Sequence, residues 1–213
     1  MKINMIHAVL DFSGPGAVFS VKKDDTKLFE VYRLMQRRDA ALLASFMQDT
    51  LNMHGLGFND ITHWTVGAGP GSFTGMRIAS ALVQGLVYSK NILSRTVPSA
   101  EAIAVSAGAD RNACVIFDGR NREIILLNLS DGQDAILNQA QAQDYFRQNK
   151  FESIAAMKYD SNAIGAIVPP EVFAEIKWAE KLDTDTFFNS EKDFDNDLTK
   201  LIYIRPSVAG ASE

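Results

Sequence analysis

The sequence predicts an α/β protein. Short runs of β-forming residues alternate with segments of helical periodicity, and across the first half the order reads βββαβαβα. The second half reopens as the first does: an apolar strand ends in Asp, a Gly-containing turn follows, and a second β-rich segment comes next. The two positions are Asp11 and Asp118. An internal duplication would produce this echo, and so would the frequency of strand, Asp, turn and strand in unrelated proteins.

Taken in order, residues 3–10, 17–21 and 28–34 are strand-like, separated by Gly14-Pro15-Gly16 and Lys23-Asp24-Asp25. They predict an antiparallel meander. Residues 39–54 place Leu43, Phe46, Met47, Leu51 and His54 on one helical face, with Asp39 as N-cap and Gly55 as stop. Residues 61–66 form a strand, 76–88 a second helix, 93–97 a strand ended by Pro98, and 101–105 a short helix led by Ser99. Strands follow at 113–117 and 123–129, then a polar helix at 135–148 and a strand at 163–168. Pro169-Pro170 is a stop, and helices are expected at 172–182 and 195–201. No low-complexity linker occurs, so a domain boundary at 105–112 would be compact.

A chain of 213 residues buries a core without metals or crosslinks. Its formal charge of -5 gives no general attraction to phosphate backbones, so any RNA contact is expected through a partner. Cys114 lies in an apolar run and has no second cysteine to pair with. The N-terminal stretch runs into Asp11 without a small-residue cleavage site, and no segment approaches the roughly 18 apolar residues of a membrane span. The expected location is the cytoplasm, with no membrane partner.

The strongest local signal is Gly69-Pro70-Gly71-Ser72-Phe73-Thr74-Gly75, between a strand and a helix, where backbone N–H groups and the helix dipole could meet an anion. It is not a Walker A loop, because Met76-Arg77 stands where Lys-Ser/Thr belongs, and its glycine spacing misses the dinucleotide fingerprint. The competing reading is a tight turn capped by Ser72 or Thr74. Arg77, a cation in the first helical turn, calls for an anionic partner, with Asp11 and Asp118 as candidates in the chain. Asp11, Ser13 and Gly14 resemble the phosphate hairpin of actin-like ATPases, but Gly165 stands alone where a second glycine-rich turn is needed. His7, His54 and His63 form no H-E-x-x-H or H-x-x-x-H pair, and Ser72 is outside G-x-S-x-G context.

The two early helices carry more apolar and small surface than one sheet covers: Leu42 and Phe46 on the first, Ile78, Leu82 and the row Ala81, Gly85, Ser89 on the second. A partner chain is the expected cover. Packing onto the chain's own sheet must account for at least one face.

The segment Val66-Gly67-Ala68-Gly69-Pro70-Gly71-Ser72-Phe73-Thr74-Gly75-Met76-Arg77-Ile78 resembles the G-P-G-S-F-T-G-L-R signature of the TsaB (YeaZ) family. Asp11-Phe12-Ser13 stands where that family has Asp-Thr-Ser, and Pro98-Ser99-Ala100-Glu101-Ala102-Ile103-Ala104 resembles its S-x-E-A-L-A segment. Asp118-Gly119-Arg120 with Glu123-Ile124, and Tyr203-Ile204-Arg205-Pro206, resemble its later segments. The resemblance implies an actin-like (ASKHA) fold of two ribonuclease H-like halves with mixed sheets, 1–106 and 107–213, the second reduced and its C-terminal residues able to pack back on the first. It also implies an inactive relative of the TsaD enzyme that forms homodimers or binds TsaD through its first two helices, with a TsaE ATPase joining. TsaD transfers a threonylcarbamoyl group to adenosine 37 of tRNA. On this basis Asp11, Ser13 and Asp118 are degenerate phosphate-loop positions, no metal or catalytic residue is expected, and a nucleotide is expected only at a partner interface. The alternatives are an actin-like phosphotransferase and a glycoprotease-like (M22) peptidase. The chain departs from the family where Arg37-Arg38-Asp39-Ala40 replaces a helix start with His and Pro, and where Gly14-Pro15-Gly16 replaces a polar run.

Overall fold

A computed structural model describes residues 5–35, 39–88 and 90–204. The chain divides into two compact units. Among the described residues, the first runs through Ser99 and takes up Thr184–Ile202; the second holds Ala100–Asp183 with Tyr203 and Ile204.

In the first unit the meander forms as β1 (Ile6–Asp11), β2 (Gly16–Lys23) and β3 (Thr26–Leu34), and β4 (His63–Gly67) and β5 (Leu93–Val97) complete the sheet. The order is β3-β2-β1-β4-β5, antiparallel through the meander and parallel from β1 to β4 to β5. Strand alternation turns Ala8, Leu10, Phe19, Val21, Trp64 and Val66 to one face. There they meet Leu43, Met47 and Leu51 of α1 (Leu43–Met53) and Ala79 and Val83 of α2 (Phe73–Val87). The expected first helix begins as a 3-10 turn, Asp39–Leu42, and turns α-helical at Leu43. It stops as the sequence predicts: Gly55 has φ +69, and Leu56 N–H bonds back to Leu51 C=O at 3.0 Å.

The second unit contains β6 (Cys114–Arg120), β7 (Glu123–Asn128), β8 (Asp134–Asn138), β9 (Ile154–Met157) and β10 (Ile176–Ala179). Their order, β8-β7-β6-β9-β10, repeats the first sheet strand for strand, antiparallel on one side and parallel on the other. Asp11 and Asp118 therefore occupy corresponding strands of two mixed sheets, β1 and β6. The reduction of the second unit lies in its helices: α5 (Ser161–Gly165) and α6 (Pro170–Glu175) are one to two turns long, against 15 residues for α2.

Several expected elements differ here. The helix expected over 135–148 is a strand, β8, followed by α4 (Gln139–Gln148). The break is fixed by a capping box, in which Asn138 Oδ1 accepts from Gln141 N–H and Gln141 Oε1 from Asn138 N–H. The strand expected at 163–168 is α5 and its exit, which bury Ile164, Ile167 and Val168 in the unit's core. The helix expected at 172–182 ends at Glu175, and the chain becomes β10 because its parallel register with β9 offers ladder partners. Pro170 is the first residue of α6 rather than a stop. No helix forms at 195–201, where the Asp195 and Asp197 carboxylates accept from the N–H groups of Asp197 and Thr199 in place of a helical ladder. The short helix of this region is α7 (Asp185–Phe188).

Candidate functional site

The glycine-rich loop lies directly on the turn that follows β1. Ser72 N–H donates to Ser13 C=O at 2.6 Å, and Ser72 Oγ caps α2 by accepting from Gly75 N–H at 3.2 Å. The approach is too close for side chains. A Cβ at Gly75 would stand 2.0 Å from Phe12 C=O, and one at Gly67 would stand 1.8 Å from Asp11 Oδ2. The tight-turn reading of these glycines accounts for the packing.

Beneath the loop, Asp11 is 2% exposed. Its Oδ1 accepts from Ser13 N–H at 3.0 Å and Ser13 Oγ–H at 2.7 Å, and its Oδ2 accepts from Ser99 Oγ–H. Ser99, the first residue of α3 (Ser99–Ser106), also accepts from Gly69 N–H at 3.0 Å and donates its own N–H to Gly69 C=O at 2.8 Å. Burial raises the Asp11 pKa above the usual carboxylate range, against the pull of the Ser99 and Ser13 donors. Asp11, Ser13, Ser99 and Gly69 thus form one closed network in which both carboxylate oxygens have partners inside the chain. Asp11, proposed as a partner for Arg77, is committed to the serines instead; the Arg77 guanidinium stacks 3.9 Å over the Phe73 ring.

Asp118, the counterpart in the second unit, accepts from Arg120 through its backbone N–H (2.8 Å) and its guanidinium (2.8 Å). Its own N–H donates to Asp160 at 3.3 Å, and burial first, then the Asp118 charge, push Asp160 up to about 6. The β6–β7 turn holds Arg120, Asn121 and Arg122 at φ +63, +51 and +61.

The three histidines serve structural contacts. His7 Nε2 meets Thr65 Oγ1 at 2.9 Å, His54 Nδ1 bonds Thr50 C=O, and His63 Nδ1 meets Thr62 Oγ1. Among the described residues, no three His, Cys, Asp or Glu side chains gather as a metal-ligand set. Cys114 is buried, which pushes its thiol up to about 12 and keeps it protonated.

On the helices, Leu42 is 44% exposed, Ala81 and Gly85 are exposed, and Phe46, Ile78 and Leu82 are half-buried at the edge of the core. A Cβ at Gly85 meets nothing within 4 Å. Ser89, the last residue of the small-residue row, lies outside the described residues, as do Arg37, Arg38, Arg205 and Pro206.

Sequence reasoning passed over Arg95, in the middle of β5. It is 4% exposed, and all five of its N–H donors have acceptors: Thr65 Oγ1 and the carbonyls of Phe187, Phe188, Ser190 and Lys192. The available signal was a charged residue inside the run Leu93-Ser94-Arg95-Thr96-Val97.

A family model described as TsaD, tRNA N6-adenosine threonylcarbamoyltransferase, matches residues 32–178. The tRNA threonylcarbamoyladenosine biosynthesis protein TsaB of Haemophilus influenzae is 28% identical over 97 residues, 44% of this chain and 41% of its own. An uncharacterized protein of Mycoplasma genitalium is 29% identical over 99 residues, 42% of this chain and 50% of its own. The matched regions span half or less of these relatives' lengths. Among solved structures, an uncharacterized protein with similarity to peptidase YeaZ, from Pseudomonas aeruginosa, aligns over 94% of this chain and 100% of that one. Its TM-score is 0.67 at 18% identity. YeaZ from Pseudomonas aeruginosa aligns over 83% and 87%, with a TM-score of 0.59 at 20% identity. At these identities the structures speak for the fold.

Proposed function

From a chain that belongs to the family described as TsaD, tRNA N6-adenosine threonylcarbamoyltransferase, and is TsaB/YeaZ-like within it, we propose a non-catalytic subunit. It binds and activates a TsaD-type enzyme in the threonylcarbamoylation of adenosine 37 of tRNA. The family model carries an enzyme's name, so the non-catalytic reading rests on this chain's own residues. The observation that carries it is the closed network under the glycine-rich loop. In an actin-like ATPase the Asp of the first hairpin acts through metal-bound water, whereas here both Asp11 oxygens are taken by Ser13 and Ser99. The loop's Gly69 and Ser72 N–H groups are taken as well, by Ser99 and Ser13. A phosphate would have to displace these bonds.

What the chain does offer is surface. Leu42, Ala81 and Gly85 are exposed beside half-buried Phe46, Ile78 and Leu82, on helices whose opposite faces already fill the core. We assign this face to the TsaD-type enzyme or to a second copy of the chain. A TsaE-type ATPase joins the assembly, tRNA is contacted through the enzyme, and any nucleotide binds at the partner interface. The setting is cytoplasmic; no helix among the described residues is long and apolar enough to cross a membrane.

Two measurements test this. Titration of the isolated chain with ATP should give no saturable heat, and a TsaD-type enzyme should gain transferase activity when the chain is added. ATP turnover by the chain alone that Asp11→Asn abolishes would replace the proposal with the phosphotransferase reading. Peptide cleavage by the isolated chain would favour the glycoprotease reading.

A further inference from the structure

After Asp183 the chain leaves the second unit and contributes Thr184–Ile202 to the first. It is fastened at successive points. Thr184 donates to Glu30 through its N–H (3.2 Å) and its hydroxyl (2.6 Å), and Asp185 pairs with Lys22 at 3.0 Å and Lys27 at 3.3 Å. Arg95 then holds four carbonyls between Phe187 and Lys192 at 2.5 to 3.2 Å, with Phe194 4.2 Å from its guanidinium. Farther on, Asn196 pairs with Ser94 of the edge strand β5 as a neighbouring strand would. Its N–H donates to Ser94 C=O at 2.8 Å, and its Oδ1 accepts from Ser94 N–H at 2.7 Å. Leu198 enters the core cluster that contains Ala79 and Val83 of α2, and its carbonyl accepts from Ser80 Oγ at 2.6 Å. Ile202 N–H reaches Ala68 C=O, at the root of the glycine-rich loop.

Residues 189–202 contain no helix or strand, and from Phe188 onward only Leu198 is buried among the described residues. A segment with few buried apolar groups, held mainly by point contacts, opens at lower cost than the sheet beneath it. We propose that residues 188–202 are a releasable clasp, with Arg95 as its latch, and that closing the clasp fixes the position of α2 and of the loop that precedes it. The guanidinium is suited to latching because the five N–H donors of its planar fork reach four carbonyls and Thr65 Oγ1 at once, whereas an ammonium has only three donors. Leu198 and Ser80 transmit the closure, because they join the clasp to α2 through one side chain and one hydrogen bond. The clasp is a property of this chain alone, so it does not depend on α2 being a docking surface.

Site-resolved hydrogen exchange on the full chain tests it, with two variants that attack the clasp at separate fastenings, the Arg95 latch and the Asn196–Ser94 pair. Arg95→Lys keeps the charge and loses the fork. Asn196→Gly removes the Ser94 acceptor and tolerates φ +59 at that position. In both, the backbone amides at positions 196 and 202 should lose protection at least about tenfold relative to their intrinsic rates, the α2 amides at 79–83 should follow, and the β1–β2 ladder should keep its wild-type rates. Unchanged exchange at Asn196 and Ile202 in Asn196→Gly would overturn the clasp, whether or not Arg95→Lys folds. Equal acceleration across the β1–β2 ladder would show the segment to be an inseparable part of the unit. Faster exchange in the clasp with α2 unchanged would refute the coupling.

Discussion

Replacing Gly85 by Leu separates fold from association, because the two should respond with opposite signs. Gly85 lies inside α2, is exposed, and has open space where a Cβ would be. Glycine inside a helix costs about 1 kcal/mol relative to Ala, and Leu lies close to Ala on that scale. The isolated variant should therefore gain about 0.5 to 1 kcal/mol, and for a domain of this size its Tm should rise by roughly 1 to 4 °C. If a partner backbone approaches here, the new side chain overpacks the contact by about 1 to 3 kcal/mol. That weakens association roughly ten- to hundredfold. Thermal melts of the chain alone and analytical ultracentrifugation with and without the TsaD-type enzyme read both signs, with Gly85→Ala as the control that gains stability while adding little bulk. A variant that melts higher and still binds both the enzyme and its own copies at wild-type strength would refute the assigned face. A lower Tm would place Gly85 against the interior and undo the argument at its first step.

Other sites make independent claims. Gly67→Ala puts a methyl group 1.8 Å from Asp11 Oδ2 and should cost about 3 kcal/mol in urea unfolding with m unchanged, since the clash is with a buried carboxylate held on both oxygens. His7 is held down to about 3 by burial first, then by Arg95, His63 and Lys22. Its folded pKa is below its unfolded one, so its contribution is whole above about pH 6.5 and lost by about 1.4 kcal/mol per pH unit below that, down to the folded value. Denaturant midpoints against pH should show this slope in the wild type and lose it in His7→Gln. Arg122 sits at φ +61, which costs a side-chain residue about 1 kcal/mol. Arg122→Gly should therefore raise stability by about that amount, and an unchanged or lower midpoint would show the turn to be held by the Arg122 side chain.

The first unit was legible because its signals are local and agree. The meander has turn residues between β-rich runs, α1 has its stripe and Gly55, and the glycine-rich loop sits between strand and helix as its composition suggests. In the second unit, local signals compete with tertiary pairing. Residues 176–179 continue a helical-looking run but have a parallel partner in β9, and residues 135–137 look helical although the helix starts only after Asn138, its cap. At the site, sequence found the loop and Asp11 but could not show that Ser99, 88 residues away, supplies the hydroxyl that fills Asp11 Oδ2. Arg95 was missed for the same reason. Four of its five acceptors are backbone carbonyls more than 90 residues later, and carbonyls leave no mark in a sequence.

The return of residues 184–202 to the first unit sets an order of assembly. Ser94 waits for Asn196, 102 residues later, and Ser80 for Leu198, 118 residues later. The five strands of the second sheet all lie within Cys114–Ala179, so every one of its ladders can close before Leu198 exists. During synthesis, which proceeds at about 5 to 20 residues per second, the second sheet can close before the first unit has its last segment. The earlier-made unit waits in the meantime with the Arg95 guanidinium short of four acceptors and the β5 edge unpaired at Ser94. Chains truncated after Asp183 would expose that intermediate, and extension through Ile202 would remove it.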